Sequence, residues 1–258
     1  MVDDEESVRE CFKEVEKRVG GRGLDFLVNN AGRSTSSSVR TLKVIIDALR
    51  LDYTVPAIEA DQSEALLTLS TNFLSVVRIN STFVPLLRAA SGTIVHIGSV
   101  AGFFPYVFGS VYNASKGALH SYTLALRMEL APLGIHVVEV VTGGVISSIA
   151  RTKRELASGS PYGPNDLNLQ RIYERRQGHS QEVGMPTKQY AQYVVGKLVN
   201  ARGRFWNTDE VWAGAKAYLV WTSNILDAFT GGKIARFFVR RMFGFPGLPP
   251  TAVGKKNV

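Results

Sequence analysis

The sequence contains a single cysteine, Cys11, and four histidines whose spacing does not match that of metal ligands. An internal disulfide framework and a cysteine-rich zinc site are therefore excluded, which favours a reducing compartment. We expect no bound metal. The sequence also lacks any run of about 18 apolar residues. Because four of the first six residues are acidic where a signal peptide is basic and then apolar, we do not expect secretion. Because the apolar run is missing, we do not expect a conventional membrane span either.

The composition is that of an ordinary globular protein. Of 258 residues, 45% are hydrophobic and 20% are charged, which excludes disorder and fibrous repeats. Thirty lysines and arginines against twenty-two acidic residues give a formal net charge of +8. This charge favours acidic partners, whether phosphorylated cofactors, anionic lipids or nucleic acid, and does not choose among them.

Short apolar runs alternate with amphipathic segments along the first part of the chain. Each apolar run is bounded by small or polar residues, as in a buried parallel strand, and the segments between them have helical periodicity. The pattern predicts an α/β fold with a parallel sheet. The predicted strands are 24–28, 93–97 and 135–141, and the predicted helices are 4–19, 66–90 and 111–132.

The predicted strands all end in small or polar residues. Ligands of open α/β sheets bind outside the carboxyl ends of the strands, so we expect Asn30, Ser99 and Gly143 to line one crevice.

The second part of the chain has a different composition. Residues 151–182 are polar and basic and contain glycine and proline, which fits either a surface lid over the substrate or a poorly ordered loop. Residues 212–245 mix aromatic and basic side chains. Such a segment can lie on a membrane surface as an amphipathic helix, or its aromatic residues can pack against the sheet.

Tyr112 and Lys116 are four residues apart near the start of a predicted helix, so they share one helical face. A neighbouring cation favours the phenolate form of a tyrosine and lowers its pKa from about 10, which would let Tyr112 exchange a proton with a reacting oxygen. Ser99, at the carboxyl end of a predicted strand, could hold a carbonyl oxygen. The pair alone is weak evidence, because such pairs often arise by chance.

Taken together, several short motifs resemble those of the short-chain dehydrogenase/reductase family, in the family's order and approximate spacing. The resemblance covers residues 4–150. Its motifs are Asn29-Asn-Ala-Gly32, Asn72, Gly98-Ser-Val-Ala-Gly102, Tyr112-Asn-Ala-Ser-Lys116 and Thr142-Gly-Gly-Val145.

This resemblance implies a Rossmann-type fold, a nicotinamide cofactor and hydride transfer between a carbonyl and an alcohol. It implies that Tyr112 is the general acid, that Lys116 lowers its pKa and binds the nicotinamide ribose, and that Ser99 polarises the carbonyl. Asn72 would hold a water molecule of the proton relay. The cofactor-binding residues implied are Asn30, Ala31, Gly32, Tyr112, Lys116, Gly143, Val145 and Ser147.

A narrower resemblance is to fungal NADPH-dependent 1-acyldihydroxyacetone-phosphate reductases. It rests on residues 105–116, 141–145 and 149–152 and on the tail that ends in Arg241-Met-Phe-Gly244. It implies NADPH as cofactor, a lipid-like ketone as substrate, and a cytoplasmic protein peripherally associated with endoplasmic reticulum or lipid droplets. Related fungal enzymes act in secondary metabolism, so a ketoreductase of such a pathway is the alternative.

The sequence departs from the family in two places. The Thr-Gly-x-x-x-Gly-x-Gly turn that would hold the cofactor pyrophosphate has no counterpart, since Gly20-Gly-Arg-Gly23 precedes a strand instead of following one. We therefore expect an N-terminally truncated sheet, an exposed edge on the strand at 24–28 and weak cofactor binding. Residues 34–52 are an atypical insertion, interpreted as a retained intron or a mis-called exon, with an inserted helix as the alternative.

These observations predict three regions: a partial Rossmann-type core (1–150), a lid segment (151–210) and an amphipathic helical tail (211–258). The leading hypothesis is an NADP-dependent reductase that acts on a small carbonyl or alcohol substrate, with peripheral membrane association and a homo-oligomer as further expectations. The alternative is a catalytically impaired paralogue that acts as a binding or membrane-associated protein. Nucleic-acid binding is not expected, because the basic residues do not form an aromatic-lined groove for single strands.

Overall fold

The centre of the molecule is a sheet of parallel strands with helices on both faces. A computed structural model describes residues 5–31, 43–48, 53–146, 154–164, 166–201 and 209–246. Its strands are β1 (Phe26–Ala31), β2 (Lys43–Ala48), β3 (Thr93–Ile97), β4 (His136–Thr142) and β5 (Glu210–Ala213). They follow the spatial order β2-β1-β3-β4-β5, and all neighbouring pairs are parallel. The expected Rossmann-like α/β fold is confirmed.

Helices bury the two faces of the sheet in separate apolar clusters. Leu27 and Ile94 pack on one face with the helices at 5–19, 75–90 and 110–130, whereas Phe26 and Val95 pack on the other face with the helix at 187–201. Because both faces are covered, the strands are apolar at successive positions. The helices are α1 (Glu5–Val19), α2 (Gln62–Leu69), α3 (Ser75–Ala90), α4 (Ser110–Leu130), α5 (Leu167–Glu182), α6 (Thr187–Ala201), α7 (Ala217–Thr230) and α8 (Lys233–Phe243).

The predicted strands at 24–28, 93–97 and 135–141 correspond to β1, β3 and β4, and the predicted helices at 4–19 and 111–132 correspond to α1 and α4. The predicted helix at 66–90 is a composite. It consists of α2, a π-helical turn at Ser70–Leu74 and α3.

The expectation of an exposed edge on β1 is wrong. β2 pairs with β1 along its whole length, from Phe26 opposite Lys43 to Ala31 opposite Ala48. The β2 residues Val44-Ile-Ile46 are all β-branched, which favours a strand over a helix. The pairing also satisfies backbone groups of β1 that an open edge would leave unpaired. An inserted helix is therefore excluded for 43–48, and the rest of 34–52 lies outside the described residues.

Of the two alternatives for 151–182, the poorly ordered loop is wrong for the second half of the segment, which is α5, whereas the lid stays a prediction. The Asp166 carboxylate caps this helix by accepting hydrogen bonds from the backbone N–H groups of Asn168 and Leu169. Ile172 and Tyr173 are buried in an apolar cluster, so α5 is anchored from inside. The polar residues that dominate its composition belong to its exposed face.

The tail predicted to begin at 211 starts inside the sheet. Val211, Trp212 and Ala213 are buried in β5, which pairs with β4, so the boundary at 211 is wrong. A four-residue strand is too short to show a periodicity that would identify it. The helical character of the remaining tail is confirmed by α7 and α8.

The aromatic residues of the tail divide between the two environments that the sequence left open. Val239 and Phe243 of α8 are buried in the apolar cluster that contains Tyr173. Phe229 at the end of α7 and Phe237 of α8, however, are 86% and 61% exposed. The tail therefore packs against the body of the protein with one face and presents aromatic side chains on the other.

A row of polar residues crosses the sheet beneath α4. Asn29 of β1 lies opposite His96 of β3, His96 lies opposite Glu139 of β4, and Glu139 lies opposite Glu210 of β5. Residues in register on neighbouring strands point to the same face, so the four side chains form one transverse line. Asn29, His96 and Glu139 are buried, and each therefore requires a polar partner from the helices above.

His96 obtains its partners from α3 and α4. The Asn80 amide donates to Nε2 of His96 at 2.8 Å, so the ring proton is on Nδ1, which donates to Oγ1 of Thr123 at 2.8 Å. Burial, together with the positive charges of Lys116 and Arg127, lowers the pKa of His96 to about 3. The imidazole is therefore neutral in the folded protein at physiological pH.

Replacing His96 with glutamine should flatten the pH dependence of stability. In the wild type, the free energy of unfolding should fall as the pH falls below 6.5, because the unfolded chain takes up a proton that the folded chain does not accept until about pH 3. Near pH 5 the slope due to His96 should approach ~1.4 kcal/mol per pH unit. Urea unfolding between about pH 7 and 5 measures this slope. A slope in His96→Gln equal to that of the wild type would contradict the assignment.

Candidate active site

Three strand ends bring the predicted crevice residues to one edge of the sheet. Asn30 lies at the end of β1, Ser99 follows β3 by two residues, and Gly143 directly follows β4. Because the strands are parallel, these ends share one edge, as expected. A Cβ atom on Gly143 would lie 2.3 Å from the carbonyl oxygen of Ala215, so this position requires glycine.

Ser99 is buried at the start of a short 3-10 turn. Its hydroxyl oxygen accepts a hydrogen bond from the backbone N–H of Ala101 at 3.1 Å. This contact fixes the oxygen and leaves the hydroxyl proton as the group that Ser99 can donate. The side chain is thus suited to donate to a carbonyl oxygen.

Tyr112 and Lys116 lie in the first two turns of α4, and both are buried. The ammonium of Lys116 donates to the carbonyl oxygen of Ile97 at 3.0 Å, two residues before Ser99. A Cβ atom on Gly102 would lie 3.0 Å from the carbonyl oxygen of Lys116, so the turn after Ser99 packs directly on the backbone of α4. The serine turn and the lysine are therefore held against each other.

Asn72 reaches Tyr112 through a residue that the sequence analysis did not single out. The Asn72 amide donates to Oγ of Ser115 at 3.0 Å, and the Ser115 hydroxyl donates to the backbone carbonyl of Tyr112 at 2.8 Å. Asn72 lies in the π-helical turn, a feature often found at functional sites. Ser115 is within the Tyr112–Lys116 motif, but only the three-dimensional contacts show that it links two predicted site residues.

The residues expected to bind a cofactor are described in part. Asn30 and Val145 are partly buried at the same edge as Gly143, and Ala31 is the last residue of β1. Gly32 and Ser147 lie outside the described residues. The donors present, the Lys116 ammonium and the Asn30 amide, fit the hydroxyl and carboxamide oxygens of a nicotinamide nucleoside.

The glycines at 20–23 lie in the turn between α1 and β1. A phosphate-binding turn follows a strand and opens a helix, whereas this turn follows a helix and opens a strand. The structure thus agrees with the sequence in giving these glycines no phosphate-binding role.

An arginine of α5 lies beside the loop at 103–109, which precedes α4. The guanidinium carbon of Arg176 is 5.5 Å from the ring centre of Tyr106, and its Nε is buried with no hydrogen-bond partner among the described residues. The Asn113 side chain, next to Tyr112, donates to the carbonyl of Tyr106 at 2.9 Å, and its own Oδ1 is also buried without a partner. Burial raises the pKa of Tyr106, which keeps this phenol neutral. The region around Tyr106 therefore contains one cation, Arg176, and two neutral polar side chains, Tyr106 and Asn113.

Comparison with known proteins shows the family of this chain. Residues 1–157 match the family model described as short chain dehydrogenase, and the chain belongs to this family. The expectation of an oxidoreductase of this family is confirmed.

Named relatives agree with this assignment. The chain is 31% identical to the NADPH-dependent 1-acyldihydroxyacetone phosphate reductase of Schizosaccharomyces pombe, over 99% of this chain and 80% of that protein. It is 32% identical to the short-chain dehydrogenase virD of Hypocrea virens, over 94% of this chain and 74% of that protein. A short-chain dehydrogenase from Streptomyces avermitilis shares the fold, with a TM-score of 0.62 at 19% identity, over 96% of this chain and 79% of that chain.

Proposed function

We propose that this protein reduces a ketone to an alcohol with NADPH. The observation that carries the proposal is the connected, buried set at the carboxyl edge, in which Asn72 is linked to Tyr112 through Ser115, and Lys116 is bound beside Ser99. The NADPH dependence named for the Schizosaccharomyces pombe relative supports the choice of cofactor.

Each residue of this set has a distinct task in the proposed reaction. Ser99 donates its hydroxyl proton as a hydrogen bond to the ketone oxygen and polarises the carbonyl. Tyr112 transfers its phenolic proton to that oxygen as the alcohol forms, and the Lys116 ammonium stabilises the phenolate that remains. Asn72 and Ser115 hold the backbone at Tyr112 in place. Bound NADPH supplies the hydride, and Lys116, Asn30 and Val145 are the described residues that would hold it.

The Tyr112→Phe variant should lose ketone reduction and keep NADPH binding. Removal of a general acid typically costs 10²–10⁴-fold in rate, whereas the phenyl ring retains the packing of the site. Stopped-flow oxidation of NADPH with 1-acyldihydroxyacetone phosphate measures turnover, and fluorescence titration measures binding. Tyr122→Phe, on the same helix, is the matched control and should react at nearly the wild-type rate.

The same experiment separates the enzyme from the impaired paralogue. Wild-type protein that neither binds NADPH nor consumes it would contradict the proposal and favour a binding protein that retains the motif residues. Equal turnover by wild type and Tyr112→Phe would exclude Tyr112 as the proton donor.

We propose a lipid-like ketone that carries an anionic group, such as an acyldihydroxyacetone phosphate. The apolar part has a counterpart in the aromatic cluster around Phe108, which contacts Tyr162, Tyr173 and Phe245 with ring-centre distances of 5.3, 5.3 and 5.6 Å. The anionic part has a counterpart in Arg176, which has no carboxylate within 4.0 Å among the described residues. A neutral polyketide-like ketone of secondary metabolism would have no use for this charge.

Arg176→Gln should raise KM for 1-acyldihydroxyacetone phosphate by at least about tenfold, because a hydrogen bond to a charged group contributes roughly 1.5–3 kcal/mol. The value of kcat should change little, and so should kcat/KM for a neutral long-chain ketone. The exposed neighbour Arg175→Gln is the matched control. Equal losses on both substrates would contradict a role in recognising the anionic group and would favour the secondary-metabolite alternative.

We further propose that the protein is cytoplasmic and binds peripherally to anionic membranes, such as endoplasmic reticulum or lipid droplets, through α7 and α8. None of the described helices is both long and apolar enough to cross a membrane. The exposed apolar residues of the two helices are Tyr218, Leu219, Trp221, Ile225, Leu226, Phe229 and Phe237. The exposed cations of α8 are Lys233, Arg236, Arg240 and Arg241, which suit anionic headgroups beside a shallowly inserted aromatic face.

The double variant Phe229→Ser with Phe237→Ser should weaken binding to vesicles of phosphatidylcholine and phosphatidylserine by at least about tenfold, because burial of one phenylalanine contributes roughly 1.5–3 kcal/mol. Co-sedimentation at low and high salt measures the binding. Leu66→Ser, an exposed apolar residue of α2, is the control. Absence of wild-type binding would contradict the proposal, and concentration-dependent self-association through these residues would instead assign the surface to a second copy.

A further inference from the structure

His120, Glu139 and Glu210 form a cluster of metal-ligating side chains on three different elements. His120 is on α4, Glu139 on β4 and Glu210 on β5, and one ligand atom from each lies within 4.8 Å of the others. The cluster could not be predicted from the sequence, because Glu139 is 19 residues after His120 and 71 residues before Glu210, which matches no ligand spacing.

The two carboxylates are placed side by side by the register of the sheet. Glu139 lies opposite Glu210, so both side chains rise from the same face of neighbouring strands. The Glu139 side chain is 1% exposed and the residue is fully buried. Two neighbouring carboxylates, of which Glu139 is fully buried and Glu210 half-buried, repel each other and require a positive charge nearby.

One carboxylate oxygen of Glu139 has no hydrogen-bond donor in the described part of the chain. Its Oε2 is 2.7 Å from Nδ1 of His120, whereas its Oε1 is buried and has no hydrogen-bond partner among the described residues. The space around Oε1 exists because residue 98 is glycine, since a Cβ atom there would lie 2.2 Å from this oxygen. An uncompensated buried oxygen is costly, so this position calls for a further partner.

The nearby cation of Arg127 is already engaged. Its guanidinium donates to the backbone carbonyls of Val137 and Asp209 at 3.0 and 2.8 Å, and the Asp209 carboxylate is 3.8 Å away. Glu210 also accepts a hydrogen bond from the Trp212 indole at 3.0 Å, which orients its carboxylate. Among the described residues Arg127 makes no ion pair with Glu139 or Glu210, so the positive charge in direct contact with these carboxylates is that of a protonated His120 or of a bound cation.

We propose that His120, Glu139 and Glu210 bind a divalent transition-metal ion, with zinc as the ion that this donor set suits. One imidazole nitrogen and two carboxylate oxygens are common zinc ligands, and three protein ligands leave a fourth position for water. The ion would neutralise both carboxylates. The Trp212 indole, bound to Glu210, would act as an outer support for one ligand.

Zinc affinity and the strength of the ion pair between His120 and Glu139 should depend on pH in opposite directions. The hydrogen bond to Glu139 raises the pKa of His120, an effect that partial burial and the charge of Arg127 oppose and that Glu210 assists. A proton and the metal compete for the same nitrogen, so zinc binding should weaken as the pH falls, while the ion pair between His120 and Glu139 becomes stronger.

The test is titration of tag-free, chelator-treated protein with zinc chloride, followed by calorimetry and by elemental analysis after gel filtration. We expect one zinc ion per chain and an increase in melting temperature on zinc addition. Glu210→Gln should weaken zinc binding at least about tenfold and preserve the contact between His120 and Glu139. The exposed carboxylate variant Glu129→Gln on α4 is the matched control and should bind zinc like the wild type.

Cobalt(II) provides a second readout that does not depend on stability. Wild-type protein should show visible absorption bands of a low-coordinate cobalt site, and His120→Gln should lose them. Absence of stoichiometric zinc binding by the wild type would overturn the proposal and leave the cluster as an ion-pair network. Equal affinity in Glu210→Gln and Glu129→Gln would overturn the ligand assignment.

Discussion

The position of α4 on the sheet is the constraint on which both the fold and the site depend. Along one side of this helix, Lys116 binds the backbone of β3, His120 binds Glu139, Thr123 binds His96 and Arg127 binds the backbone of β4. These groups are polar and face a protein interior, so each must find its own partner. A shift of the helix by one residue would separate several buried donors from their acceptors, at roughly 1–3 kcal/mol for each group left unpaired. Apolar packing alone would tolerate such a shift more easily, since it is not directional. The polar row therefore fixes the register that places Tyr112 and Lys116 beside Ser99.

The parts of this fold that could be predicted from the sequence are those with a strong local signal. The strands β1, β3 and β4 are short apolar runs with polar ends, and α1 and α4 are long and amphipathic, so burial and periodicity agree. β5 has four residues, too few for a period, and its place in the sheet depends on pairing with β4. β2 could not be predicted because residues 34–52 are interpreted from the sequence as an insertion. Its β-branched residues form a strand because they pair with the edge of β1 that would otherwise be open. α5 was missed because its buried side chains are few among many polar ones.

The candidate site divides in the same way. Ser99, Tyr112, Lys116 and Asn72 could be predicted from an order of motifs that resembles the family pattern, and their catalytic roles stay predictions. Ser115 could not, since its role depends on a hydrogen bond to Asn72, 43 residues away, and on another to its own helix. Asn72 could be placed on a helix from the sequence, but not on a π-helical turn, which no local pattern in the sequence signals. Side chains whose role is to hold others in place leave a weaker trace in a sequence than those that react.

The cluster of His120, Glu139 and Glu210 lies close to the candidate active site, and two local connections join them. His120 is one helical turn after Lys116, and Oε1 of Glu139 touches the position of Gly98, the residue before Ser99. The Glu139 carboxylate therefore lies against the end of β3, which precedes Ser99, and against α4, which carries Lys116. The glycine at 98 is needed for this contact, because any side chain there would displace Glu139. The family motif Gly98-Ser99 thus has a local physical reason in this chain: Ser99 supplies the hydroxyl, and Gly98 leaves the space that a buried carboxylate occupies beneath it.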